Sequence, residues 1–138
     1  VIGGGSVATR KALALHDAGA RVTIIAPAIS ESLVSLAASS PRLAIEKRMY
    51  AGAEDLGESD IVVAATDSHE INEEVAADAR ALHRLVNVVS DGSKGSFVSM
   101  ATHRDGKVTI GVTAGGVPRE AMRIRDAIAQ GLTETGPR

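Results

Sequence analysis

Two kinds of block take turns along this chain. Val22-Thr23-Ile24-Ile25-Ala26, Ile61-Val62-Val63-Ala64-Ala65 and Leu85-Val86-Asn87-Val88-Val89 are short, almost unbroken apolar runs, as expected for parallel strands covered on both faces. Between them the apolar residues return at helical spacing. Ser6 to Ala18 carries Ala8, Ala12 and Leu15 on one stripe, with Arg10, Lys11 and Asp17 off it, and Gly19 as the stop. Ser30 suits the cap of a short helix with Leu33, Leu36 and Ala37, ahead of Pro41. Leu43-Ala44-Ile45 reads as a brief outer strand. Ile71, Val75, Ala79 and Leu82 line the next helix, and Asp67, three residues before Glu70, makes a capping-box-like start. Strands alternating with helices at these intervals predict an α/β fold with a Rossmann-like parallel sheet in the order 3-2-1-4-5.

The pattern changes after Ser90. Ser90-Asp91-Gly92-Ser93-Lys94-Gly95 is a polar, glycine-rich loop. Two strands are expected next, Ser96 to His103 and Lys107 to Thr113, joined at Asp105-Gly106, a strong hairpin signal. After the turn Ala114-Gly115-Gly116, Pro118 suits the first turn of a helix with Ala121, Ile124 and Ile128 as its apolar face and Gly131 near its end. The expected division is a Rossmann domain over 1–90, a small β-hairpin dimerisation region over 91–116, and the start of a C-terminal helical segment over 117–138. A lone hairpin and helix bury little surface, so a homodimer is expected to cover them.

The chain opens on Val1-Ile2-Gly3-Gly4-Gly5-Ser6-Val7-Ala8, the end of a strand, a glycine turn and the start of a helix. Gly3, Gly5 and Ala8 fall on the spacing of a dinucleotide site. Gly3 lets the backbone turn out of the strand, Gly5 admits a pyrophosphate, and Ala8 packs close to the strand. The helix start then offers unpaired N–H groups to phosphates. Only two residues precede the turn, fewer than a strand needs, so the natural N-terminus is expected upstream.

Composition narrows the partners. Aromatic residues are 1% of the chain, only Tyr50 and Phe97, which disfavours a stacking platform for nucleic acid. The net charge of −2 gives no general attraction to polyanions, and no apolar run is long enough to span a bilayer. With no cysteine, thiolate metal sites are excluded. A cytoplasmic protein without nucleic-acid or membrane partners is the expectation.

In order, Gly3-Gly4-Gly5 with Val7-Ala8 and Arg10-Lys11, Gly19-Ala20, Val22-Thr23, Ala26-Pro27, Ala64-Ala65-Thr66-Asp67 with Asn72, Asn87-Val88-Val89, Ser96-Phe97, and Gly115-Gly116 with Pro118 and Ile124-Arg125 form one pattern. With it the chain resembles the N-terminal module of siroheme synthase, the precorrin-2 dehydrogenase/sirohydrochlorin ferrochelatase family. The resemblance implies NAD-dependent oxidation of precorrin-2 to sirohydrochlorin, by a Rossmann domain with a dimerisation sheet and a helical segment. Many members also insert Fe²⁺.

Cofactor contacts are expected at Gly3, Gly4, Gly5, Ser6 and Val7, and in the matched blocks at Ala26, Pro27, Thr66, Asp67 and Asn87. Asp67 serves equally as a helix cap, and Asn72 as a structural residue. Ala26-Pro27 stand where an acidic residue often holds the ribose hydroxyls, so residues alone do not separate NAD from NADP. The substrate is rich in carboxylates and calls for cations. Lys94, His103, Arg104, Lys107, Arg119, Arg123 and Arg125 all lie in the second half, flanking two glycine turns, and Gly115 and Gly116 of the second are expected at the substrate with them. A lone His103 does not make a metal site. The family usually has a catalytic aspartate directly after Asn-Val-Val. Here Ser90 stands there and Asp91 follows, so both are catalytic candidates and ferrochelation is expected to be weak or absent. The alternative from another class is an NAD(H)-binding regulatory module, which has no need of the basic second half.

Overall fold

The computed structural model describes residues 1–134. They form helices α1 (Ser6–Asp17), α2 (Glu31–Ser39), α3 (His69–Ala81) and α4 (Pro118–Glu134), and strands β1 (Val22–Ile25), β2 (Leu43–Glu46), β3 (Ile61–Ala64), β4 (Leu85–Val88), β5 (Ala101–Asp105) and β6 (Val108–Val112). Short 3₁₀ turns cover Ala53–Leu56 and Gly92–Lys94. The chain divides into two compact units, with the boundary between Val98 and Ser99.

In the first unit β1 pairs in parallel with β2, and β3 with β4. Ile2 joins the two pairs through parallel bridges to Ile25 and Ala64. Its N–H donates to the Val63 carbonyl at 2.8 Å, and its carbonyl accepts from Ala65 N–H at 2.8 Å. With Ile2 counted as the first strand, the order is the expected 3-2-1-4-5.

Successive strand residues face opposite sides, and both sides are covered. Ile24 packs with Ala12, Leu33 and Leu43, while its neighbour Ile25 packs with Val62, Val75 and Val86. Val63 and Ala65 take the side of Ala8. This explains the nearly unbroken apolar runs: β3 and β4 are buried at every position but the first, while Thr23 in β1 and Ala44 in the outer strand β2 are exposed.

Helix ends differ in detail from the sequence expectation. α1 ends where Gly19 takes φ +96°, donating to the His16 carbonyl at 3.0 Å. The buried stripe of α1 includes His16, whose ring Nε2 lies 2.8 Å from Ser40 Oγ. Ser30 holds the cap position of α2, but its side chain makes no cap bond and meets Thr9 Oγ1 at 2.9 Å instead. Ser68, not Asp67, caps α3: its Oγ accepts from Ile71 N–H at 3.3 Å. Asp67 lies one residue too early, because Thr66 and Asn72 hold the preceding turn closed. Leu82 falls past the last turn of α3 and is exposed.

Beyond β4 the chain returns along it. Ser96 N–H donates to the Val86 carbonyl at 2.7 Å, Val86 N–H donates to Ser96 Oγ at 2.8 Å, and Asn87 Nδ2 donates to the Phe97 carbonyl at 3.1 Å. A Cβ on Gly95 would stand 2.8 Å from the Val86 carbonyl oxygen, so only glycine passes this closely. These bonds tie residues up to Val98 to the first unit, and the expected long strand from Ser96 begins only at Ala101.

The second unit is a hairpin and a helix. β5 and β6 pair antiparallel, Asp105 opposite Val108, around the two-residue loop Gly106-Lys107. Gly106 takes φ +55°, the positive value such a turn demands. Pro118 opens α4, and the helix runs to Glu134, with Gly131 near its end as expected. Ala121 is buried and Ile124 half-buried, but Ile128 is exposed.

Candidate functional site

The carboxyl edge of the parallel sheet gathers four loops. The first is the glycine turn, and its three glycines do different things. Gly3 takes φ +124°, and a Cβ there would lie 2.2 Å from the Ala65 carbonyl oxygen. A Cβ on Gly4 would lie 2.0 Å from the Ala28 carbonyl oxygen. Both positions are filled by the protein's own backbone. Around Gly5 nothing lies within 4 Å of a Cβ, so the space there is open.

Gly5 is also the N-cap of α1, and no side chain caps that end. The first turn holds no acidic residue. Ser6 and Val7 are exposed. An uncapped helix start facing open space, with the positive end of its dipole unopposed, is a cradle for an anion. Ala8 is fully buried against Val63 and Ala65, which presses α1 onto the strand end.

The second loop follows β1. Ala26 is buried and Pro27 exposed, and neither offers a charge to a ribose.

The third and fourth loops follow β3 and β4, and one side chain joins them. Asn72, in the first turn of α3, is 1% exposed. Its Oδ1 accepts from Thr66 N–H at 3.0 Å and from Thr66 Oγ1 at 2.8 Å. Its Nδ2 donates to the Thr66 carbonyl at 3.0 Å and to Ser90 Oγ at 3.3 Å. Thr66 is half-buried, while Asp67 and Ser90 are exposed. Asp91 turns the other way: its Oδ1 accepts from Ser93 Oγ at 2.6 Å and from Ser93 N–H at 2.9 Å. Those bonds, the side-chain one first, hold the Asp91 carboxyl below its ordinary value, so it is ionised at neutral pH and already engaged in the turn. Ser93 was the residue to read beside Asp91, since Asp-x-Ser favours such a side-chain turn.

Asn87 lies in β4, buried, with its Nδ2 spent on the Phe97 carbonyl. Its Oδ1 is buried without a hydrogen-bond partner. An acceptor left over inside a folded protein is a group waiting for a donor.

The expected cations do not form one free cluster. Lys94 pairs with Glu73 at 3.1 Å. In the second unit Arg123 pairs with Glu120 at 2.6 Å, and Arg125 with Asp126 at 2.6 Å. Arg104, Lys107 and Arg119 are exposed and have no ion pair among the described residues. His103 is half-buried in β5 opposite Ile110. Gly115 and Gly116 take φ +55° and +85° in the turn before α4. Among the described residues no three His, Asp or Glu side chains converge as metal ligands.

Comparisons with known proteins fit this geometry. The model of a family described as "Putative NAD(P)-binding" matches residues 1–101. A siroheme synthase of Saccharophagus degradans is 38% identical over 133 residues, which cover 96% of this chain and 29% of the relative. A siroheme synthase of Chromobacterium violaceum is 40% identical over 126 residues, 91% of this chain and 26% of the relative. The chain thus spans less than a third of the length of these relatives. A solved structure of SirC, precorrin-2 dehydrogenase, has a TM-score of 0.81 and 27% identity, over 94% of this chain and 63% of that one.

Proposed function

We infer, given that this chain belongs to the NAD(P)-binding family matched by residues 1–101, that it binds NAD(H) and oxidises precorrin-2 to sirohydrochlorin in siroheme synthesis. The observation that carries this is the uncapped start of α1 beside the open space at Gly5. The likeness to a precorrin-2 dehydrogenase over nearly the whole chain supports the substrate.

The residues present fit a dinucleotide. Gly3 and Gly4 shape the turn, Gly5 leaves room for the pyrophosphate, and the N–H groups of Ser6 and Val7 bind it. Ala26 and Pro27 leave the ribose site uncharged. Thr66, Asp67 and Asn87 complete the cofactor edge, and the orphaned Asn87 Oδ1 is a ready acceptor. When bound, the nicotinamide supplies the hydride acceptor, and the protein orients substrate against it. Ser90 and Asp91 stand on the same edge as the polar groups nearest the chemistry. Lys94, His103, Arg104, Arg119 and Arg123, with the turn Gly115-Gly116, are the groups for the substrate's carboxylates. Metal insertion into the product is weak here, because Ser90 is neutral and Asp91 is occupied by Ser93.

The protein works as a cytoplasmic homodimer. Residues 1–90 hold the cofactor, the hairpin within 91–116 supplies the dimer contact, and the segment from 117 begins the helical part, of which residues 135–138 lie outside those described. The test is turnover of precorrin-2 with NAD⁺, followed by absorbance, with and without Fe²⁺ or Co²⁺. Sirohydrochlorin is expected with NAD⁺ alone, and little metal insertion. Tight NADH binding without turnover would favour the regulatory module instead.

A further inference from the structure

We propose that Asn72 is a positioning residue that turns Ser90 into a hydrogen-bond donor toward an oxygen of the bound ligand, so that Ser90 acts by donating its proton in a hydrogen bond and not as a base. This rests on the functional reading above and deepens it.

The amide of Asn72 has only one possible orientation. Thr66 N–H is a donor without acceptor capacity, so the atom 3.0 Å from it is Oδ1. The Thr66 carbonyl is an acceptor only, so the atom 3.0 Å from it is Nδ2. These two backbone contacts settle the amide without appeal to any hydroxyl. The second hydrogen on Nδ2 then points to Ser90 Oγ at 3.3 Å. Ser90 must accept there. Its own proton has no acceptor among the described residues, and the side chain is exposed on the carboxyl edge of the sheet.

Burial makes this polarity firm. Asn72 is 1% exposed and all four of its hydrogen-bonding positions are used. Rotating the amide would break two backbone bonds and leave buried groups unpaired. The helix start of α3 therefore ties the loops after β3 and β4 together and fixes the sense of the hydroxyl between them. The matching ligand group is a hydrogen-bond-accepting oxygen. Two sources present one: the carboxamide of the nicotinamide ring and a carboxylate of the tetrapyrrole.

The experiment uses the whole chain and measures NADH affinity by fluorescence, KM for precorrin-2 by turnover, and folding by circular dichroism. Ser90→Ala removes an exposed hydroxyl and leaves the fold intact. It is expected to weaken one of the two ligands by about three- to tenfold, the range of one neutral hydrogen bond. Ser90→Asp offers an acceptor that Asn72 still satisfies, and it must lose at least as much. Ser90→Thr restores the donor and the affinity. Asn72→Asp keeps the acceptor toward Thr66 but draws the Ser90 proton inward, so among chains that fold it matches Ser90→Ala.

If the carboxamide is the acceptor, the thionicotinamide analogue of NADH binds the parent more weakly than NADH does, and the difference vanishes in Ser90→Ala. If the substrate carboxylate is the acceptor, NADH affinity is unchanged and the KM rises. Ser90→Ala with both ligands unaffected, or Ser90→Asp equal to the parent, overturns the proposal. A parent chain that binds no NADH overturns the functional reading instead.

Discussion

The two units of this chain handle their apolar residues in opposite ways. The first buries them in depth: Ile24, Leu33, Val75 and Val86 are sealed between the sheet and its helices. In the second, Ala121 is the one buried apolar residue among those described, while Met100, Val108, Val117, Met122 and Ile128 are each at least 40% exposed. Both units contain strands and an amphipathic helix. The difference lies in layers: a five-stranded sheet covered on both faces makes a core, and a hairpin with one helix does not. The first unit is built to stand on its own packing, and the second leaves most of its apolar side chains open to solvent.

The sharpest way to break this comparison is a matched pair of truncations. Ile24→Ala should cost about 2–5 kcal/mol in denaturant unfolding, because the cavity lies between sheet and helices. Ile128→Ala, half open to water, should stay within about 0.5 kcal/mol. Equal losses would mean that the second unit has a core of its own.

Next come the glycines, which separate folding from binding inside the first unit. Gly3→Ala meets the Ala65 carbonyl at a positive φ, so it should destabilise by at least about 2 kcal/mol. A Cβ at Gly5 meets nothing in the protein, so Gly5→Val should cost no more than a weakened helix cap, about 1 kcal/mol, yet calorimetry should show NADH affinity down by at least about tenfold, or 1.4 kcal/mol. Unchanged affinity would remove the pyrophosphate from Gly5.

A charge placed on the exposed face of the second unit tests what covers it. Met122→Asp with Ile128→Asp should convert a dimer to a monomer by light scattering, with the first unit's melting unchanged. A parent that is monomeric at micromolar concentration would mean that no second copy covers this face.

The smallest effect belongs to Asp91, at the exposed margin of the first unit. Its folded value is depressed, so its contribution is present above the unfolded value of about 3.9 and lost as pH falls through the folded one. The small melting difference between the parent and Asp91→Ala should close only on acidification below that range. An NMR titration of the carboxyl should show a midpoint below about 3.9.

Much of the first unit was legible because a strand covered on both faces leaves a nearly unbroken apolar run, and β1, β3 and β4 each show one. The glycine turn was legible for a similar reason, since its spacing mirrors a steric demand. Local choices were harder. Asp67 and Ser68 are both good caps, and only the turn closed by Thr66 and Asn72 decides between them. Ser96 and Phe97 look like strand residues, but their bonds run to β4, a choice made by tertiary pairing rather than by propensity. The sense of the Ser90 hydroxyl depends on an amide eighteen residues away, which no spacing rule reports. The cations around Gly115-Gly116 could be counted in the sequence, but not that Arg123 and Arg125 would be partly neutralised by their neighbours.

The return of Gly95 to Phe97 along β4 bears on how the chain is made. An uncovered outer strand is a template for any other strand nearby, and aggregation begins on such templates. Synthesis reaches Val88 before Ser96, so the nascent sheet is sticky on that side for about the time taken to add nine more residues, on the order of a second. A chain ended at Ser90 would keep that rim bare for good. It would hold the glycine turn and all five strands, and it should still precipitate where one ended at Val98 stays in solution.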